Sequence, residues 1–138
     1  GYWIEAGTQR GTCRVVVYGV VTGDLDAADE AWRGIETTFA HQLEDGRFEA
    51  NDRPNGKSAK PLGAAVETAF FFMQELGRAI LVIRQSPHEK HFHDRIVALE
   101  PKMRKAMAFV LAGYDTIIAN SSHAVNRIFI AAKASRSL

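Results

Sequence analysis

The feature that most constrains the fold is the stretch 63–85. A helix over these residues would be apolar on nearly every side, and such a helix must be buried on nearly every side. The apolar residues are Val66, Ala69, Phe70, Phe71, Phe72, Met73, Leu76, Ile80, Leu81, Val82 and Ile83. Of the 138 residues, 46% are hydrophobic, which is enough to bury this helix within one helical domain, 1–138. We therefore predict an all-α fold.

A second predicted helix lies upstream. Trp32, Ile35 and Phe39 recur at helical spacing, and we expect a helix that starts at an Asp24 or Asp26 cap and runs to about Gln42. Residues 13–21 contain five valines, which favour a strand by local propensity. We nevertheless predict a helix ending near Gly23, because a lone strand would have no partner.

The C-terminal half is predicted to be helical too, after a polar loop over 45–62. Residues 86–93 are expected to form a loop. One apolar stripe then continues through 92–113, where Pro101 predicts either a kink or the start of a new helix, and Gly113 closes the segment. A last helix opens at Asp115 or Thr116 and runs to about Ser135.

The turn after the second helix carries a motif. It reads Gln-x-x-Asp-Gly-x-aromatic, with Gln42, Asp45, Gly46 and Phe48 at the marked places. Asp-Gly is a strong turn signal, because glycine adopts positive φ without a Cβ penalty. One interpretation is that the motif only connects two helices. The alternative is that Glu44 or Asp45 is a catalytic acid.

This turn resembles the repeat-end motif of α/α-toroid proteins, which include terpene cyclases, six-hairpin glycosidases and polysaccharide lyases. The resemblance implies antiparallel helical hairpins packed as a segment of an α/α toroid. A complete toroid has about twelve helices, and repeat architectures need neighbours to bury each face. The chain has room for about five, so the alternatives are a portion of a larger toroid, a homo-oligomer, or a bundle that shares the pattern.

The charge distribution bears on partners. The net charge of +1 excludes a strong electrostatic case for nucleic acid. Residues 1–50 have a balance of −5 and residues 101–138 a balance of +5, so the two ends can pair or the basic end can bind a polyanion. We expect no membrane segment. The single cysteine, Cys13, excludes an intrachain disulfide framework without indicating a compartment.

The sharpest catalytic candidates lie near the C-terminus. Asn120, His123 and Arg127 share one helical face, Asn126 is adjacent, and Tyr114 precedes them. Toroid lyases that break uronic-acid chains use such a set, and the resemblance implies that Asn and Arg neutralise the uronate carboxylate while His or Tyr transfers the proton. The alternative is a polar helix face that only caps and packs.

Two further sets are candidates for binding. Glu67, Gln74 and Arg78 share a face of the 63–85 helix, where they would line the cleft of a toroid as substrate-binding residues; alternatively, Glu75 and Arg78 only pair with each other. The histidines of the predicted 86–93 loop, His88, His91 and His93, match no metal motif of fixed geometry, so we predict no metal site and no cofactor.

Two classes of function follow. One is a carbohydrate-active enzyme, a polysaccharide lyase or glycoside hydrolase acting on an acidic polysaccharide. The other is a non-catalytic helical module that self-associates or assembles with a partner chain.

Overall fold

The computed structural model describes residues 3–50 and 62–119, and the regular structure in these ranges is all-α, as predicted. A 3₁₀ helix (Ala6–Gln9) precedes five α-helices: α1 Arg10–Thr22, α2 Leu25–Ala40, α3 Leu62–Arg84, α4 Glu89–Ala112 and α5 Tyr114–Ala119. In the described ranges, the only β feature is an isolated bridge between Gln42 and Phe48.

Consecutive helices form antiparallel hairpins, and close contacts fix their direction. Gly19 of α1 lies against Ala28 at the start of α2, and Thr12 at the start of α1 lies against Gly34 further along α2. In the second hairpin, Val66 near the start of α3 contacts Gly113 at the end of α4. α2 therefore runs back along α1, and α4 runs back along α3.

The hairpins stack in two layers. The odd layer consists of α1, α3 and α5, since α3 packs against both α1 and α5. The even layer consists of α2 and α4, which contact each other. Arg14 of α1 reaches Glu75 of α3, and one turn earlier Arg10 lies over Phe71, so these two helices are parallel.

The valine-rich first segment is helical, as predicted. Cys13, Val16 and Val20 are buried against the neighbouring helices, and this tertiary packing outweighs the strand propensity of valine. α1 ends at Gly23, whose φ of 79° is left-handed. Asp24 caps α2: its carboxylate accepts a hydrogen bond of 3.1 Å from the backbone N–H of Ala27. α2 ends at Ala40, two residues before the expected end.

Residues 86–93 differ from the sequence prediction of a loop. α4 begins at Glu89, so His91 and His93 are helical and only Ser86–Pro87–His88 forms the turn. The acidic Glu89 in the first turn favours this earlier start, since negative charge stabilises a helix N-terminus.

Pro101 lies inside α4 and does not start a new helix. Its ring is on the exposed side, while Ile96, Leu99 and Met103 keep the buried stripe continuous across it. Burial of this stripe holds the two halves in one helix despite the missing N–H. The cap residue, Gly113, has a φ of −93°, so α4 ends without a left-handed residue.

Aromatic side chains connect the layers. Phe39 at the end of α2, Phe48 beyond the turn and Phe72 of α3 contact one another with ring centroids 5.6–5.7 Å apart. All three are buried. The turn is therefore part of the core through Phe48.

Candidate functional site

The predicted site residues fall into two groups. Asn120, His123, Asn126 and Arg127 lie outside the described residues, as does the expected extension of the last helix to Ser135. Asn126 is a candidate for substrate binding, and the fourth catalytic candidate, Tyr114, begins α5 and is half-buried.

Glu67, Gln74 and Arg78 all lie on α3. Glu67 and Gln74 are half-buried and Arg78 is exposed. They belong to a larger surface that α1 and α3 form together, which we call the α1–α3 face. Its residues are Arg10, Arg14, Tyr18, Glu67, Phe71, Gln74, Glu75 and Arg78. Three arginines and two glutamates make this face slightly basic.

Glu75 is the most buried charge on the α1–α3 face, with 8% of the residue exposed. One of its oxygens, Oε2, is 3.5 Å from Nε of Arg14 and 3.7 Å from Nη1 of Arg78. The pairing of Glu75 with Arg78 that the sequence offered as an alternative therefore occurs, and Arg14 adds a second cation. The two arginine side chains stay 62% and 55% exposed.

A groove adjoins this cluster one helical turn earlier. It has a volume of about 510 Å³ and lies between the start of α1 and the first half of α3, with Thr8, Arg10, Glu67 and Phe71 in its lining. The guanidinium carbon of Arg10 is 5.6 Å from the centre of the Phe71 ring, a cation–π distance. The groove thus offers a positive charge, an acid and an aromatic surface.

Cys13 lies beneath the α1–α3 face and is buried. Burial, with a smaller contribution from the nearby Glu75 carboxylate, raises the pKa of its thiol from 9.0 to about 12. A thiol with such a pKa is protonated at neutral pH and is a poor nucleophile.

The Gln42–Phe48 turn is a packed connector in the structure. The Gln42 side-chain amide donates to the carbonyl oxygen of Lys102 in α4 at 3.0 Å and to that of Gly46 at 3.3 Å. Lys102 in turn donates through Nζ to the carbonyl oxygen of Phe39 at 3.2 Å. Asp45, one of the two candidate acids, pairs with Arg47 at 3.1 Å. The turn therefore ties the end of α2 to α4.

A separate ionic cluster joins α2 and α4 in the even layer. Asp29 accepts from Arg95 Nη1 at 2.8 Å and lies 2.9 Å from His91 Nε2, and Arg95 also binds Glu36 at 3.0 Å. His93 faces elsewhere and contacts Glu89 at 3.0 Å. Within residues 3–50 and 62–119, no three His, Cys, Asp or Glu side chains converge as metal ligands.

Comparison with known proteins gives no relative for this chain. No protein-family model matches it, and neither the search of curated proteins nor the search of solved structures finds a similar chain. Among the helices that the structure describes, none combines the length and apolar character needed to cross a membrane.

The sequence interpretation missed the contribution of α1 to this surface. Arg10, Arg14 and Tyr18 recur at spacings of four residues, which places them on one helical face. That spacing was available in the sequence. The sequence does not show that these α1 residues contact Phe71 and Glu75, because those contacts depend on the parallel packing of α1 and α3.

Proposed function

We propose that the chain is a carbohydrate-active module that binds an acidic polysaccharide along the α1–α3 face. The observation that carries the proposal is the combination on one surface of three arginines, two exposed or half-exposed aromatic rings and a groove of about 510 Å³. Arginines balance the charge of a polyanion, and aromatic rings offer flat apolar area to a sugar.

The two-layer order of the helices supports the companion proposal that the chain is a segment of an α/α toroid. Parallel odd helices beside parallel even helices are what stacked hairpins produce, and each end of such a stack leaves a face for another hairpin. In a closed ring of hairpins, both helices of the α1–α3 face would lie in the same layer. Glu67, Gln74 and Arg78 would then be substrate-binding residues, as the sequence predicted.

The proposed reaction is β-elimination on a uronate polymer. Arg127 and Asn120 offset the carboxylate charge, and His123 removes the proton on the adjacent carbon. The glycosidic C–O bond then breaks, and Tyr114 returns a proton to the leaving oxygen. Asn126 would contribute to substrate binding. This assignment rests on the residue types and on their helical spacing. A glycoside hydrolase acting on the same polymer is the alternative reaction.

The test is the ultraviolet absorbance of the unsaturated product formed from alginate, hyaluronan and pectate. We expect product from one of the three polymers, and we expect His123→Ala to slow its formation by about 10²–10⁴-fold. His93→Ala, a histidine of the even layer, is the matched control and should retain the wild-type rate. No product from any polymer would dismiss the lyase, and equal rates for wild type and His123→Ala would remove that histidine from the mechanism.

The second candidate function is a helical module that assembles with itself or with a partner chain. An apolar groove of about 360 Å³ between α3 and α4 favours it, with Ile80, Ile96, Met103, Met107 and Leu111 in its lining. Leu111 is 60% exposed. Sedimentation over a wide concentration range tests it: a dimer that Leu111→Glu dissociates supports assembly through this groove, and a monomer at every concentration argues against it.

A further inference from the structure

We propose that Arg14 and Arg78, which converge on Glu75, form a subsite for the carboxylate of an acidic sugar. The inference rests on the proposed function and assigns the ligand chemistry of one part of the α1–α3 face. A guanidinium group is well suited to a carboxylate, because its planar fork of N–H donors matches the two oxygens.

The two arginines come from different helices. Arg14 approaches from α1 and Arg78 from α3, and both reach the same oxygen of Glu75, at 3.5 and 3.7 Å. An N–H···O hydrogen bond is normally about 2.7–3.2 Å long. Both distances are longer, so Glu75 binds neither guanidinium group at full strength. In the described ranges, neither arginine pairs with a second carboxylate. Both can therefore donate to a ligand.

The Glu75 carboxylate and the two arginines differ in burial. Glu75 is 8% exposed, while each arginine side chain is more than half exposed, so the carboxylate lies below and the two cations lie above it. Two positive charges lie near one buried negative charge, so the cluster has a net charge of +1. An anion arriving from solvent would complete the charge balance without being buried deeply.

Aromatic side chains lie on both sides of the arginine pair along the α1–α3 face. One turn beyond Arg14 on α1, Tyr18 is 61% exposed, and one turn before it Arg10 and Phe71 line the groove. A sugar chain lying along α1 would thus meet an aromatic ring on each side of the arginine pair. The pair is suited to one carboxylate, and the rings to the neighbouring sugars.

The experiment measures the dissociation constant of oligogalacturonate for the full chain by calorimetry. We expect Arg14→Gln and Arg78→Gln each to weaken binding about tenfold, through loss of a charge-assisted hydrogen bond. The matched control is Arg33→Gln, which removes an arginine of similar exposure that pairs with Glu30 in the even layer. It should bind within about twofold of wild type, because exposed pairs far from the site contribute little.

A second variant separates ligand binding from folding. Glu75→Gln removes the competing negative charge and keeps the side-chain volume, so oligogalacturonate should bind about threefold tighter. A gain in affinity cannot come from loss of the fold. If the cluster is only a structural ion pair, Glu75→Gln should bind oligogalacturonate as wild type does or more weakly. That result would overturn the inference.

The outcomes distinguish the subsite from the proposed function. If wild type binds oligogalacturonate and both arginine variants bind it equally well, the subsite is wrong and the proposed function stands. If wild type binds neither oligogalacturonate nor oligomers of alginate and hyaluronan, both are wrong. If a sulfated galactan without uronate binds as tightly through the same two arginines, the assignment to carboxylate is wrong.

Discussion

Replacing Gly46 by alanine tests whether the Gln42–Phe48 turn is built into the core. Gly46 has a φ of 92°, where an L-residue costs about 1–2 kcal/mol. A Cβ at this position would also collide with the carbonyl oxygen of Lys105 and press on the Cβ of Phe109, both in α4. Such overpacking costs about 1–3 kcal/mol. We therefore expect Gly46→Ala to lower the free energy of unfolding by about 2–5 kcal/mol, a large share of the about 5–15 kcal/mol typical of a domain.

Gly23 provides the matched control. Its φ of 79° is also left-handed, but a Cβ there would meet nothing within 4 Å. Gly23→Ala should therefore cost only the backbone term, about 1–2 kcal/mol. Urea unfolding followed by far-UV circular dichroism measures both variants. Equal losses for Gly46→Ala and Gly23→Ala would show that the turn does not pack against α4, and would refute this account of the connector.

Two further predictions concern the core. Phe72→Ala removes the ring that contacts both Phe39 and Phe48, and should lower the free energy of unfolding in urea by about 3–5 kcal/mol. Leu81→Ala, at a partly exposed position, should lower it by less than about 1 kcal/mol. In the folded state the pKa of the Cys13 thiol is raised from 9.0 to about 12, so folding disfavours the thiolate. The stability that the protonated thiol contributes is therefore present below pH 9 and is lost as the pH rises towards 12. The stability of Cys13→Ala should fall less steeply than that of wild type over this range; parallel curves would contradict the burial of the thiol.

Local signals account for most of the helices. The helical spacing of Trp32, Ile35 and Phe39 predicted α2, and Gly23 and Asp24 supplied the end of one helix and the cap of the next. The start of α4 was missed because the dense histidines resemble a polar loop, although Glu89 was a signal for a helix start. The uninterrupted helix through Pro101 depends on burial of its stripe, which the sequence shows only as a pattern.

The candidate site was predictable only in part. The shared face of Glu67, Gln74 and Arg78 follows from spacing on a single helix. The convergence of Arg14 on Glu75 spans 61 positions in the chain and depends on α1 and α3 packing side by side. Spacing within one helix cannot supply such a contact, so the second cation of the cluster could come only from the structure.

The most direct test of the central claim is a nuclear magnetic resonance titration that follows the arginine side-chain Nε–H signals as oligogalacturonate is added. Binding along the α1–α3 face predicts that the signals of Arg10, Arg14 and Arg78 shift together and saturate with one dissociation constant. The signals of Arg33 on α2 and Arg104 on α4, both in the even layer, should stay in place. Shifts confined to the even-layer arginines, or no shifts at a large excess of ligand, would contradict the claim.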